Sequence, residues 1–163
     1  MMLQSGKPVL CEKPKSTDSR EVQQMISLAK EKNLFFMEAI WSRFFPVYEK
    51  VREILRSGEL GEVRIVTASL GINFDGVPRL RNRSLAVGSL IEAGIYPIQF
   101  AAMVFGEEKP QGGTATGHLT DTGVDESATV GPEVQQQQNG SPDLQRVYNA
   151  VPRGLYLRNN GLA

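Results

Sequence analysis

The sequence predicts an α/β protein that begins with a parallel strand–helix–strand unit. Two short apolar runs, Val9–Cys11 and residues 34–37, flank a segment of helical periodicity at residues 18–32. Short apolar runs bounded by polar residues are typical of buried strands. A helical connection between two such strands is a crossover, which makes the strands parallel neighbours in one sheet.

The first helix is predicted at residues 18–32 from its period and from its two ends. Asp18, followed three residues later by Glu21, indicates a capping box, and Asn33 suits the helix end. Four apolar residues recur at helical spacing: Val22, Met25, Ile26 and Ala29.

The next segment predicts a second helix and then a long strand. Pro46 is tolerated in the first turn of a helix, and Gly58 ends this one. Residues 63–70 are rich in β-branched side chains and predict a strand, and residues 73–83 form a polar, arginine-bearing loop. The apolar residues of the helix are expected to face inward: Val47, Val51, Ile54 and Leu55.

A third helix is predicted at residues 89–105, which are strongly apolar. Pro97 lies inside this segment, removes one backbone donor and should bend the helix. Residues 114–116 and 127–130 then predict two further strands, joined by a loop at residues 121–126.

The composition changes at Gly131. A glutamine run at residues 135–138 is followed by a segment with no sustained period. Such a sequence buries too little apolar surface to offset its ordering entropy, so residues 131–163 are predicted to be mostly disordered.

Composition and charge exclude several classes of partner. The 163 residues are 40% apolar and 22% charged, and formal net charge is zero, which argues against a broad basic face for nucleic acid or anionic lipid. No window approaches the roughly 20 apolar residues that span a bilayer, and no signal peptide is evident. The single cysteine, Cys11, is expected to be a buried, inert thiol in a reducing cytoplasm.

Three residues carry groups that can take part in proton transfer from an alcohol. Glu92 precedes Tyr96 by four residues, so both lie on one helix face, one turn apart. A phenol can take the proton of an alcohol, but its usual pKa near 10 requires a neighbouring positive charge at neutral pH. Lys13 can supply that charge, and Glu92 can hold Lys13 or accept from a substrate hydroxyl.

Each candidate also has a purely structural interpretation. A tyrosine in an apolar helix is commonly a core residue, and a lysine beside a proline is commonly solvated. Trp41, near Phe44 and Phe45, is on spacing alone a core or interface residue. His118 is the only histidine and has no second ligand type at metal spacing, so no metal site is predicted. Four arginines fit solvated loop positions: Arg43, Arg79, Arg81 and Arg83.

Three blocks, in this order, resemble the glucose–fructose oxidoreductase/inositol dehydrogenase family of nicotinamide enzymes. They are Glu12-Lys13-Pro14, the block that contains Trp41 and Arg43, and the block that ends in Tyr96. Val104-Phe105-Gly106, together with Thr122-Gly123-Val124-Asp125, adds a fourth similarity. The likeness covers residues 6–130.

The resemblance implies a role for each matching residue. It places Lys13 at the nicotinamide end of the cofactor, Tyr96 as catalytic acid/base, and Glu92 where the family has aspartate. The implied cofactor is NADP, and the implied activity is oxidation of a small diol or sugar, a trans-dihydrodiol or D-xylose, by a dimeric enzyme. The implied cofactor contacts are Glu12, Lys13, Pro14, Trp41 and Arg43.

The resemblance also implies a division of the chain. Residues 1–38 match the C-terminal remnant of a Rossmann dinucleotide-binding domain. Residues 39–130 match an incomplete α+β substrate and dimerisation domain with a mostly antiparallel open sheet, and residues 131–163 are a tail foreign to the family.

Two departures from the family pattern bear on activity. Glu92 is one methylene longer than the family's aspartate, and no Gly-x-Gly-x-x-Gly sequence for the pyrophosphate occurs. The chain therefore resembles an internal segment of a dehydrogenase with a foreign end, as in a splice variant or a mis-assembled gene model. The interpretations are an impaired dehydrogenase, a non-catalytic isoform that dimerises with full-length subunits through residues 63–70, and a chain that does not fold stably.

Overall fold

The fold was analysed in a computed structural model, which describes residues 2–74, 76–85, 87–106, 110, 112–135 and 145–151. The chain forms two compact units, Met1–Glu49 and Lys50–Ala163. The predicted domain boundary at residue 38 therefore lies inside the first compact unit.

The first unit contains the predicted strand–helix–strand order. Strand β1 (Val9–Cys11), helix α1 (Ser19–Glu31) and strand β2 (Phe36–Glu38) follow one another along the chain. The two strands are parallel, and Cys11 lies opposite Glu38. The α/β prediction is confirmed, although Cys11 is half-buried and not buried as expected.

Helix α1 begins with a capping box that is relayed through Ser16. The Asp18 carboxylate accepts from the Arg20 N–H at 2.8 Å. The Asp18 N–H donates to Ser16 Oγ at 3.0 Å, and the Ser16 hydroxyl donates to Glu21. The helix ends where Asn33 adopts a left-handed φ of 50°, as predicted.

The Asp18 cap depends on pH. Hydrogen bonds from the Arg20 side chain and backbone lower the Asp18 pKa below 3.8. A carboxyl whose pKa is lower in the folded state stabilises the fold above its ordinary pKa. This contribution is lost as the pH falls through the lowered value.

Helix α2 spans Pro46–Ser57 and confirms the predicted start and end. Gly58 follows it with a left-handed φ of 73°. Val47 is 61% exposed, so the expectation that it faces inward is wrong. The other three residues with that expectation are half-buried: Val51, Ile54 and Leu55.

The second unit contains a four-stranded sheet in the order β3-β6-β5-β4. Its strands are β3 (Ile65–Ser69), β4 (Gly112–Leu119), β5 (Asp125–Gln135) and β6 (Gln145–Val151). Strands β4, β5 and β6 pair antiparallel, whereas β6 and β3 are parallel. The prediction of a mostly antiparallel sheet is confirmed.

Part of the predicted tail belongs to this sheet. Strand β5 continues past Gly131 to Gln135, and Gln145–Val151 forms β6 between β5 and β3. The prediction of disorder is wrong for these two stretches, because strand neighbours supply backbone hydrogen-bond partners that no local apolar pattern reveals. The rest of the tail lies outside the described residues.

The third helix starts with a π turn. Residues Leu90–Gly94 are π-helical and lead directly into α3 (Ile95–Phe105). The π turn ends at Gly94, three residues before Pro97, which lacks an N–H donor. The bend expected at Pro97 stays a prediction. Ala101 and Phe105 of α3 are buried with Val66 of β3 and form the core of this unit.

One helical stretch contradicts the prediction that no segment is long and apolar enough to span a bilayer. By length and composition alone, Arg83–Phe105 is long and apolar enough to cross a membrane. The core helix of a soluble protein meets the same criterion, and α3 packs against β3 in this way.

The helix that begins at Leu90 is capped by Asp125 from β5. The Asp125 carboxylate accepts from the Leu90 N–H at 2.6 Å and from the buried Ser89 hydroxyl at 2.9 Å. No side chain of the helix itself caps this end. Gly88 leaves room for the carboxylate, because a Cβ there would lie 1.7 Å from Asp125 Oδ1.

The substitution Gly88→Ala should therefore destabilise the protein. The added methyl group displaces the Asp125 carboxylate and leaves the Ser89 hydroxyl and the Leu90 N–H without their acceptor. We expect the free energy of unfolding, measured in urea, to fall by about 1–3 kcal/mol. In an Asp125→Ala background the same substitution should cost much less, and an equal cost in both backgrounds would contradict the assignment.

Gln99 of α3 provides a second stability test. It is 5% exposed, and neither its amide oxygen nor its nitrogen finds a hydrogen-bond partner in the part of the chain that the structure describes. A buried amide without partners costs about 1–3 kcal/mol. Gln99→Met, which is of similar size, should raise the thermal midpoint, whereas Gln99→Glu should lower it. A lower midpoint for Gln99→Met would show that the amide has a partner.

Candidate functional site

Glu38 fixes the turn that carries Lys13. The Lys15 N–H donates to Glu38 Oε1 at 3.2 Å, and Lys15 Nζ lies 3.6 Å from Glu38 Oε2. Lys15 Nζ also lies 5.3 Å above the centre of the Phe36 ring, within cation–π range. The turn after β1 is therefore tied to the end of β2.

Sequence reasoning missed Lys15 and this role of Glu38. The signal was available, because the carboxyl ends of parallel neighbours meet at one sheet edge and Cys11 lies opposite Glu38. Lys13 is half-buried in this turn and precedes Pro14 through a cis peptide bond, and Glu12 is exposed.

Trp41 and Arg43 lie in a 3-10 turn, Trp41–Phe44. Trp41 is 61% exposed, so the interpretation of Trp41 as a core residue is wrong. Its ring meets Phe45 edge to face, with centroids 5.0 Å apart. Phe45 meets Tyr48 in the same way at 6.3 Å. This geometry holds the Trp41 ring in place, and Arg43 is exposed beside it.

Arg79 clamps the Glu92 carboxylate. Its Nη2 and Nη1 lie 2.9 Å and 3.2 Å from the two carboxylate oxygens. Glu92 raises the pKa of Arg79 through this hydrogen bond and its negative charge. Arg79 is thus more than a solvated loop residue, and sequence reasoning missed its pairing with the Glu92 carboxylate.

Tyr96 is half-buried in the first turn of α3, directly after the π turn that contains Glu92. The two residues share the helix whose start Asp125 fixes. Lys13, Trp41 and Arg43 belong to the first compact unit, whereas Glu92 and Tyr96 belong to the second.

Tyr96 lies one helical turn after Glu92, and the Arg79 guanidinium offsets the negative charge of that carboxylate. A carboxylate has several acceptor positions, which allows it to bond an arginine and a hydroxyl together. Among the described residues, no group of three His, Cys, Asp or Glu side chains could hold a metal ion.

Two family models match most of the chain. Residues 1–40 match the model of the oxidoreductase family with an NAD-binding Rossmann fold. Residues 48–147 match the GFO/IDH/MocA C-terminal domain, so the match extends past Gly131 into the predicted tail.

Curated relatives cover the same region. Trans-1,2-dihydrobenzene-1,2-diol dehydrogenase of Xenopus tropicalis is 45% identical over 130 residues, which are 80% of this chain and 39% of the relative. The Homo sapiens enzyme of the same name has the same identity and coverage. The chain thus spans about two fifths of the length of these relatives.

Solved structures share the fold. The aldose-aldose oxidoreductase of Caulobacter crescentus, complexed with glycerol, has a TM-score of 0.76 and 26% identity over 93% of this chain and 45% of its own. GenD2 from gentamicin A biosynthesis, in complex with NAD, has a TM-score of 0.80 and 17% identity over 94% of this chain and 43% of its own. The two family models show that the chain belongs to the GFO/IDH/MocA family of oxidoreductases.

Proposed function

We propose that this chain carries the chemistry of an NADP-dependent dehydrogenase that oxidises trans-dihydrodiols or D-xylose. The observation that carries the proposal is the Arg79–Glu92 pair one helical turn before Tyr96, in a chain 45% identical over 130 residues to dihydrodiol dehydrogenases. The pair supports a role for Tyr96 as the group that exchanges a proton with the substrate hydroxyl.

The described residues fit the nicotinamide end of such a cofactor. Lys13 is half-buried beside Glu12 and Pro14, and the Trp41 ring is 61% exposed next to Arg43. These five residues are the proposed cofactor contacts. When bound, the cofactor supplies the acceptor for the hydride that leaves the substrate carbon. The 163-residue sequence contains no Gly-x-Gly-x-x-Gly turn of the kind that binds the pyrophosphate of such a cofactor.

The chain's own residues divide the remaining work. Tyr96 takes the proton from the substrate hydroxyl as the hydride leaves the carbon, and returns it in the reverse reaction. Lys13 is assigned to the nicotinamide end of the cofactor. Glu92, held by Arg79, accepts from a substrate hydroxyl and orients the substrate.

The isolated chain should not turn over substrate. Each charge-assisted hydrogen bond to a pyrophosphate contributes about 1.5–3 kcal/mol, and each 1.4 kcal/mol is roughly a tenfold change in affinity. Without several of these bonds, millimolar NADP should remain unbound. We expect no formation of NADPH with D-xylose or a trans-dihydrodiol, measured by absorbance.

A chimera provides the positive control for this prediction. In it, the nucleotide-binding half of the Xenopus tropicalis relative precedes this chain. The chimera should be active, and Tyr96→Phe should lower its kcat by about 10²–10⁴ while the KM for NADP changes little. Turnover by the isolated chain that vanishes in Tyr96→Phe would contradict the first expectation, and full kcat in the chimeric Tyr96→Phe variant would contradict the role of Tyr96.

A second candidate function is that of a non-catalytic subunit that pairs with full-length subunits. This function is favoured by the position of β3 at one end of the sheet order β3-β6-β5-β4, where Ile65 is 68% exposed. An exposed edge strand is a template for another chain. Pairing of two copies of this chain through the same strand would give a homodimer.

Co-expression with the Xenopus tropicalis relative tests this second function. A complex of the two chains should co-elute in size-exclusion chromatography at micromolar concentration. Ile65→Lys places a charge on the exposed strand and should abolish co-elution, whereas Val47→Lys, which alters a valine of α2 that is also mostly exposed, should leave it unchanged. Separate elution of the unmodified chains would contradict the pairing.

A further inference from the structure

Three arginines occupy every second position of residues 79–83 in the loop between β3 and the third helix, and they differ in their charge partners. Arg79 pairs with Glu92, and Arg81 Nη2 pairs with Asp121. For Arg83, the described part of the chain provides no hydrogen bond or ion pair. Within the described ranges, Arg83 is therefore the one of these three guanidinium groups without a counter-charge.

A buried leucine anchors the part of the loop that carries two of these arginines. Arg79 and Arg81 flank Leu80, which is 6% exposed and anchors the 3-10 turn Pro78–Arg81. Asn82 Oδ1 accepts from the Ser84 N–H at 3.0 Å and from the Ser84 hydroxyl at 2.8 Å. This local bonding shapes the backbone that leads from Arg81 to Arg83.

A cleft of about 520 Å³ opens between this loop and the β4–β5 turn. Its volume is within the range of about 300–1,000 Å³ of small-molecule sites. The Arg83 side chain lies close to the β4–β5 turn. A Cβ added at Gly123, a residue of that turn with a φ of 77°, would lie 3.6 Å from Arg83 Nη1. The lining residues are Gly76, Val77, Pro78, Arg81, Asn82, Arg83 and Thr122.

The charges and donors of the cleft favour an anion. Arg81 and Arg83 carry two positive charges, and Asp121 offsets one of them. A guanidinium has five N–H donors, so Arg81 keeps donors beyond its bond to Asp121. Arginine forks match the oxygens of carboxylate and phosphate groups. Val77 and Pro78 add an apolar wall for the carbon skeleton of a small ligand.

We propose that this cleft binds a small oxyanion, either a phosphate or a carboxylate carried by a compact organic molecule, through Arg83 and Arg81. The proposal concerns ligand binding and assigns no role to Lys13 or Tyr96. Arg81 shares the 3-10 turn Pro78–Arg81 with Arg79, the partner of Glu92.

Isothermal titration of the purified chain with inorganic phosphate, and separately with succinate, tests the proposal. Both titrations are run at constant ionic strength set by sodium chloride. We expect saturable binding of at least one ligand, and the arm with the lower Kd identifies the preferred oxyanion. Arg83→Gln should raise that Kd about tenfold or more, because a charge-assisted hydrogen bond is lost. Arg83→Lys keeps the charge without the fork and should give an intermediate Kd.

Arg56→Gln is the matched control. Arg56 is an exposed arginine in the last turn of α2 in the same compact unit, so this variant removes the same charge without touching the cleft. Its Kd should equal that of the unmodified chain. Binding that is unchanged in Arg83→Gln, that falls equally in Arg56→Gln, or that is absent for both ligands would overturn the proposal.

Discussion

The Asp125 carboxylate is the contact on which the arrangement of the second unit depends. It bonds both the Ser89 hydroxyl and the Leu90 N–H, at the start of the helix that carries Glu92 and Tyr96. A helix leaves its first N–H groups unsatisfied, and a negative charge at that end is favourable. Because Asp125 begins β5, this one side chain sets the position of the candidate acid/base relative to the sheet.

In each compact unit, taken by itself, a charge pair positions a residue with a proposed chemical role. Glu38 holds the turn that carries Lys13 through Lys15, and Arg79 holds Glu92 beside the helix of Tyr96. In each case the residue with the proposed chemical role is positioned by a neighbour whose own charge is satisfied. Such a division separates the groups with proposed chemical roles from the residues that position them.

Several features of the fold and site could be predicted from local sequence. The period and ends of α1 lie in consecutive residues, so Asp18 and Asn33 marked them correctly. Pro46 and Gly58 marked α2 for the same reason. Backbone preferences and capping act over a few residues, and each of these elements forms within its own stretch of chain. The three family blocks, including Lys13 and Tyr96, were likewise readable because each motif is continuous.

The sequence by itself determined the α/β class, the helix ends and the family. Only the tertiary structure decided that Arg79 pairs with Glu92, that Asp125 caps the helix over Gly88, and that Gln145–Val151 joins the sheet beside β3. The physical reason is distance along the chain. Thirty-five residues separate Leu90 from Asp125, and a contact across such a loop depends on the packing of whole elements, whereas local propensity depends on neighbours.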